Sequence, residues 1–180
     1  MFRFIFLFFF ILKLQLLSAQ HGNLNIKLDQ YQNINFRSMS TQNTLDILIA
    51  NDTTLAINLE TNNMFCIKHA DMQYYLYLTE NELEPTIISI NDSVHVSGYN
   101  SHFIIFLNEY INLYQSQFDM QLLISNYNSI DDLEIDLYNL INNDIYNFYN
   151  THRYFDFFSP SSKDYFETLL KYEYLSTISN

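Results

Sequence analysis

The sequence predicts an α+β fold, in which an antiparallel β-sheet or sandwich is followed by a bundle of about three helices. Three observations lead to this prediction. Apolar residues alternate with polar ones in short runs before Gly98. Short polar turns separate those runs at roughly ten-residue spacing. After Gly98 the apolar residues recur at the spacing of an amphipathic helix. We therefore expect a β-rich domain over residues 21–98 and a helical region over residues 99–180, packed on or next to the sheet.

Residues 1–20 have the pattern of a secretory signal peptide. Arg3 provides a positive start, Phe4–Leu12 is a dense apolar run, and Ser18-Ala19 supplies small residues before a predicted cut at Gln20. The unbroken apolar run is shorter than the roughly 20 residues of a typical membrane span. We therefore predict export and no membrane span after cleavage; an uncleaved membrane anchor is the alternative.

The front half contains a series of strand candidates joined by polar turns. Asn51-Asp52-Thr53 and Asn91-Asp92-Ser93 also match the N-glycosylation acceptor pattern, but we interpret them as turns because their side chains bond locally to backbone. Parallel pairing would need crossover helices, for which there is no room between these runs, so antiparallel pairing is expected. The candidates are Leu24–Asp29, Ile34–Phe36, Leu45–Ala50, Thr54–Leu59, Met64–His69, Gln73–Thr79, Thr86–Ile90 and Val94–Val96.

Three helices are predicted after Gly98. The first spans about residues 102–123, with Ser101 as a candidate N-cap. The second begins near Asp131 with acidic residues in its first turn, and the third has Ser159 as N-cap with Pro160 at its first position. The residues expected to face the core are Leu133, Leu137, Leu140, Ile141, Ile145 and Phe148 in the second helix and Phe166, Leu169, Leu170 and Tyr174 in the third.

Composition and charge exclude several classes of function. The 180 residues allow one ordinary domain or two small ones, and 48% hydrophobic residues can form a core, which excludes general disorder. The formal net charge of −12 opposes binding to nucleic-acid phosphates and to anionic membranes. The same charge weakly favours basic partners.

The only cysteine, Cys66, cannot form an internal disulfide, a C-x-x-C pair or a cysteine zinc site. It lies between apolar neighbours in a predicted strand and is interpreted as a small buried hydrophobe. The acidic cluster of Asp131, Asp132, Glu134 and Asp136 lacks the central glycine of a calcium loop, so it is interpreted as helix N-terminal charge.

The five histidines do not form a metal-binding pattern, because no pair has the spacing of ligands on one helix. They are His21, His69, His95, His102 and His152. Ser101 beside His102 lacks the glycines of a nucleophile elbow. We therefore predict no catalytic, cofactor-binding or metal-binding residues, and no cofactor.

Three segments of the chain form a familiar combination. Leu17–Gln20 reads Leu-Ser-Ala-Gln, like the end of an exported leader. Gln73–Thr79 and Ile90–Gly98 give a strand, a turn and a strand ending in Ser-Gly, and a helix containing Asn108 follows. Phe158–Leu175 forms a last helix. Together these segments resemble the N-terminal region of TlpA-like thiol-disulfide oxidoreductases of the Bacteroidetes, in which such a helix precedes the thioredoxin domain.

The resemblance implies an accessory module of the bacterial envelope or periplasm. The family's C-x-x-C lies in a downstream thioredoxin domain, so no catalytic residue carries over to this chain, and Glu80–Glu84 replaces an expected Pro-Gly turn. The chain is expected to be either a truncated reading frame or a stand-alone version.

The leading functional hypothesis is an exported, non-enzymatic α+β module that binds a partner, such as an envelope protein, or a substrate, or that held a thioredoxin domain in an ancestor. Two alternatives stay open: a thiol-dependent redox protein that uses Cys66 or a missing downstream C-x-x-C domain, and a membrane-tethered structural protein held by an uncleaved Phe4–Leu17. The sequence leaves the oligomeric state open.

Overall fold

The structure is a computed structural model, and it describes residues 21–28, 32–39, 44–49, 54–60, 63–69, 72–79, 86–90, 94–98, 100–119, 123, 127 and 129–179. The predicted signal peptide, the turns at 51–53 and 91–93 and the polar segment 80–84 lie outside these residues. Within them, the predicted α+β order of strands followed by helices is confirmed. The strands are β1 His21–Leu28, β2 Gln32–Ser38, β3 Thr44–Ile49, β4 Thr54–Glu60, β5 Asn63–His69, β6 Met72–Leu78, β7 Thr86–Ile90 and β8 Val94–Ser97.

The strands form two four-stranded sheets that pack face to face. The first has the order β4-β1-β7-β8, and the second has the order β3-β2-β5-β6. One buried apolar cluster joins them, because alternating residues from both sheets point into the same layer. Its members include Leu24, Ile26, Ile88 and Ile90 from the first sheet and Phe36, Phe65, Ile67, Leu76 and Leu78 from the second.

The expectation of purely antiparallel pairing is wrong for one pair of strands. β1 and β7 are parallel neighbours, with Ile26 opposite Ile88. The intervening chain builds β4 on the other side of β1 and contributes four strands to the second sheet. Strands of the opposite sheet thus provide the long crossover for which a helix had been assumed necessary.

β6 is buried on both faces, which produces a third layer. Leu76 and Leu78 face the first sheet, whereas Tyr75 and Tyr77 face an aromatic cluster formed with the helices. The period-two pattern therefore supplies apolar side chains to two cores at once. The helices pack against β5 and β6 of the second sheet, and the first of them also contacts β8 of the first sheet and places Ile104 in the cluster between the two sheets.

The change from strand to helix occurs at Gly98, as predicted. Gly98 has φ 101°, a conformation that glycine adopts without steric cost. The first helix, α1, spans Ser101–Tyr114 and has Asn100 as its N-cap. The predicted cap, Ser101, is therefore the first helical residue instead. The predicted end at residue 123 is also wrong, because the helix tightens into a 3₁₀ turn at Gln115–Phe118.

The second predicted helix is one continuous helical run with a change of pitch. It consists of α2 Ile130–Asn139, a π-helical segment Leu140–Ile145 and α3 Tyr146–Thr151; we call this whole run the long helix. Its start is confirmed, since the Ser129 hydroxyl accepts a hydrogen bond from the Asp132 N–H at 3.1 Å. Within the described residues, no helix has the length and apolar character that a membrane span needs.

The π segment has a physical reason in the apolar pattern. The buried positions of the long helix recur every four residues, and four residues of ideal α-helix turn by about 400° rather than 360°. In an ideal α-helix, the row of buried side chains would therefore rotate away from the core. The wider π turn takes up that excess and returns the later residues to the buried side. The buried positions are Leu133, Leu137, Ile141, Ile145 and Tyr149.

The last helix, α4, spans Pro160–Ser179 and starts as predicted. The Ser159 hydroxyl accepts a hydrogen bond from the Ser162 N–H at 3.1 Å. Phe166 and Leu170 are fully buried in the aromatic cluster, and Leu169 and Tyr174 pack at its edge.

Candidate functional site

Cys66 is buried in β5, as predicted. Its side chain is 1% exposed, and burial raises the pKa of its thiol, an effect that Lys68, Gln73 and Arg37 only partly offset. A thiol in this state forms little thiolate, the species that reacts. Cys66 is a free cysteine.

The described histidines occupy three different settings. His95 is exposed on β8, whereas the ring of His102 packs against Tyr154 and Phe157, with ring centroids 4.5 and 4.8 Å apart. The side chains of His21 and His69 lie outside the described residues. Within the part of the chain that the structure describes, no group of three or more histidine, cysteine or acidic side chains could hold a metal ion.

His152 has a buried side chain and forms an ion-pair cluster with two partly exposed partners, which the sequence did not indicate. Its Nε2 lies 3.0 Å from Oε2 of Glu109, and Arg153 donates to the other oxygen of that carboxylate at 3.0 Å. The His152 Nδ1 accepts from the Tyr154 N–H at 3.3 Å, which places the ring proton on Nε2. Both ring nitrogens are thus engaged, and the cluster links α1 to the segment after α3. The partners are more than forty positions apart in the sequence, so no local pattern could reveal them.

A part-buried polar pair connects α1 to α4. The Tyr110 hydroxyl donates to a carboxylate oxygen of Glu173. Burial raises the pKa of Glu173 above its usual value of 4.5, and the hydrogen bond from Tyr110 lowers it in part. The folded protein therefore holds a carboxylate in a place where the charged form is disfavoured.

We expect Glu173→Gln to raise the melting temperature at pH 7 and to leave it nearly unchanged near pH 4. A raised carboxyl pKa in the folded state means that this state binds the proton more tightly than the unfolded state. Stability is then lost as the pH rises through the folded pKa, and glutamine removes this loss. The shift should be a few degrees, on the scale of about 2–4 °C per kcal/mol. Thermal unfolding followed by circular dichroism across this pH range measures it.

The control is Glu167→Gln, which changes an exposed carboxylate on the same helix. It should give no such pH-dependent difference. An equal gain at both pH values for Glu173→Gln would contradict the prediction.

A groove runs between the long helix and α4, and we call it the interhelical groove. It consists of two adjoining depressions that share the rings of Tyr138 and Tyr174. The apolar depression has a volume of about 160 Å³, and the acidic one about 360 Å³. The apolar depression is lined by Tyr138, Ile141, Asn142, Tyr146, Leu170, Lys171 and Tyr174, and the acidic one by Asp131, Glu134, Ile135, Tyr138 and Tyr174.

The two walls of the interhelical groove are joined by one side-chain hydrogen bond. The Tyr174 hydroxyl donates to Oε1 of Glu134 at 3.1 Å. Above it, Ile135 and Tyr138 are 60% and 61% exposed. The π segment contributes Ile141 and Asn142 to the groove, and such segments are frequent at functional sites. The groove therefore presents exposed apolar groups beside carboxylates.

The acidic residues of this site stand out in the sequence, but the site itself does not. Asp131 and Glu134 were interpreted as helix N-terminal charge, and they do lie in the first two turns of α2. What the pattern could not show is that α4 brings Tyr174 and Leu170 beside them.

No protein-family model matches this chain, and neither a curated protein nor a solved structure shows significant similarity to it. The resemblance to the region that precedes a TlpA-like thioredoxin domain therefore stays a prediction.

Proposed function

We propose that this protein is an exported, non-catalytic module of the bacterial cell envelope that binds another protein through the interhelical groove. The groove is the observation that carries the proposal. Its walls expose large apolar side chains, Ile135 and Tyr138, next to a small apolar depression. Exposed apolar surface arranged around a concavity is typical of an interaction site.

The shape of the groove favours a protein partner over a cofactor. Small-molecule sites usually enclose about 300–1,000 Å³ and bury most of the ligand. The apolar depression is smaller than that, at about 160 Å³; the acidic one, at about 360 Å³, reaches the lower end of this range but is open to solvent and does not enclose a ligand. Adjoining shallow depressions instead suit successive side chains projected by one protein segment.

The pattern of residues 1–20 supports export, and the resemblance of Phe158–Leu175 to a helix that precedes a thioredoxin domain supports an accessory role. The burial and raised pKa of Cys66 argue against a thiol-dependent reaction at that residue.

The test is site-specific photocross-linking of the full chain in intact cells. A benzoylphenylalanine in place of Tyr138 should form an adduct with an envelope protein. The matched control places the same group at Tyr172, which is 70% exposed on α4 but does not line the groove. The exported product should begin near Gln20 by mass spectrometry.

Adducts that are the same from both positions would overturn the groove as the binding site. A product that remains in the cytoplasm with Met1 intact would overturn export.

A further inference from the structure

We infer that the occupant of the interhelical groove is a basic amphipathic helix of a partner protein, with its positive residues at the Asp131 end. This inference rests on the proposed function and specifies the chemistry of its partner. The surface that carries it combines three features: the charge of the long helix, the two tyrosine rings of the acidic depression and the length of the groove.

The long helix carries negative charge only. Residues 130–151 contain five carboxylates and no lysine or arginine. These carboxylates belong to Asp131, Asp132, Glu134, Asp136 and Asp144. The whole chain has a formal net charge of −12, so the remainder of the surface does not offset this field. A basic partner is attracted to such a surface, and an acidic one is repelled.

The acidic depression combines the two groups that bind an organic cation best. Asp131 and Glu134 supply carboxylates, and Tyr138 and Tyr174 supply ring faces. A lysine or arginine side chain can pair with a carboxylate while its stem lies along an aromatic ring. Glu134 accepts the Tyr174 hydroxyl through one oxygen, and the other oxygen has lone pairs to offer to a cation.

The apolar depression determines at which end of the groove the basic residues of the partner helix bind. Ile141 and Leu170 form its apolar wall, and Lys171 stands at its edge. Lys171 repels a positive residue here, so a large apolar side chain is expected in this part of the groove. The occupant therefore has basic residues at one end and apolar residues along one face.

The length of the groove matches a helical segment. From Asp131 to Tyr146 the long helix rises by at most about 22 Å, because an α-helix rises by about 1.5 Å per residue and the wider π segment within this run rises by less. A partner helix of about 14 residues covers that distance and presents anchors three and four residues apart, as helices do when they dock in apolar grooves.

Binding of a designed peptide to the purified, processed product of the full chain tests the inference. The probe is a fluorescein-labelled helix of about 14 residues, with leucines along one face and two lysines in one terminal turn. Fluorescence anisotropy should show saturable binding that weakens as sodium chloride rises from about 50 to about 300 mM. Replacing the lysines by glutamates, or the leucines by serines, should weaken binding by about tenfold or more.

Variants of the protein locate the binding site. Glu134→Gln and Tyr138→Ala should each weaken binding about threefold or more. The matched controls, Asp156→Asn and Tyr172→Ala, change exposed residues outside the groove and should have no effect. The melting temperature of each variant confirms that it is folded.

Equal binding of the lysine and glutamate probes, or an unchanged affinity in Glu134→Gln, would overturn the basic partner while leaving a binding groove in place. A further outcome is that the basic probe binds while positions 138 and 172 give identical cross-links in cells. That result would support the preference of the groove for a basic helix and would overturn the proposed function.

Discussion

Replacing Phe106 by alanine should lower the free energy of unfolding by about 3–5 kcal/mol, the largest effect expected of any single change in the helical layer. Phe106 is fully buried in α1, and its ring contacts α4 and the segments on both sides of the 3₁₀ turn Phe155–Phe157. The ring centroids of Phe166, His152 and Phe158 lie 4.8, 5.0 and 5.1 Å away. Alanine would leave a cavity at the point where these elements meet.

Denaturant unfolding followed by circular dichroism measures this loss. The matched control is Leu113→Ala, which removes an apolar side chain that is 55% exposed on the same helix. That change should stay within about 0.5 kcal/mol of the parent protein. A loss below about 1 kcal/mol for Phe106→Ala would mean that the aromatic cluster does not hold the helices on the sheet.

The elements that follow from local patterns could be predicted from the sequence. The alternation of Leu76 and Leu78 with Tyr75 and Tyr77 sets the two faces of β6, and Gly98 marks the point where the period changes. These features depend on neighbours within a few residues. Caps such as Ser159 are local in the same way.

The pairings between distant segments could not be predicted. The parallel contact of β1 with β7 joins residues about sixty positions apart, and the local pattern of either strand is the same for parallel and antiparallel neighbours. The His152–Glu109 pair and the interhelical groove have the same origin. Each depends on how two helices pack, which is decided by the complete core rather than by either sequence segment.

The interhelical groove also illustrates why a common sequence pattern, acidic residues in the first turns of a helix, does not reveal a candidate site. The acidic residues at the start of α2 satisfy the helix dipole, so their presence is explained without any ligand. We propose a second use for those charges because Tyr138 and Tyr174 lie beside Asp131 and Glu134. The π segment contributes by keeping Ile141 at the wall of the groove.

Replacing Asn108 by alanine should lower the free energy of unfolding by about 2–4 kcal/mol, because it removes the partners of two part-buried backbone groups of Tyr75. Among the strands that the structure describes, β6 is at the edge of the second sheet, so its outer backbone groups need partners other than a neighbouring strand. The Asn108 side chain accepts from the Tyr75 N–H at 2.8 Å and donates to the Tyr75 carbonyl at 2.7 Å. The Asn108 amide thus forms both backbone hydrogen bonds that a neighbouring strand would form at Tyr75. The Asn100 side chain donates a further one to the Tyr77 carbonyl.

The matched control is Asn112→Ala, which changes an exposed asparagine one turn further along α1. Denaturant unfolding should separate the two variants by about 2 kcal/mol or more. Hydrogen exchange gives a direct measurement, since the Tyr75 amide should lose protection in Asn108→Ala and keep it in Asn112→Ala. Equal stability of the two variants, with the Tyr75 amide still protected, would mean that water or a neighbouring segment satisfies this edge and that α1 is held on the sheet by apolar contacts alone.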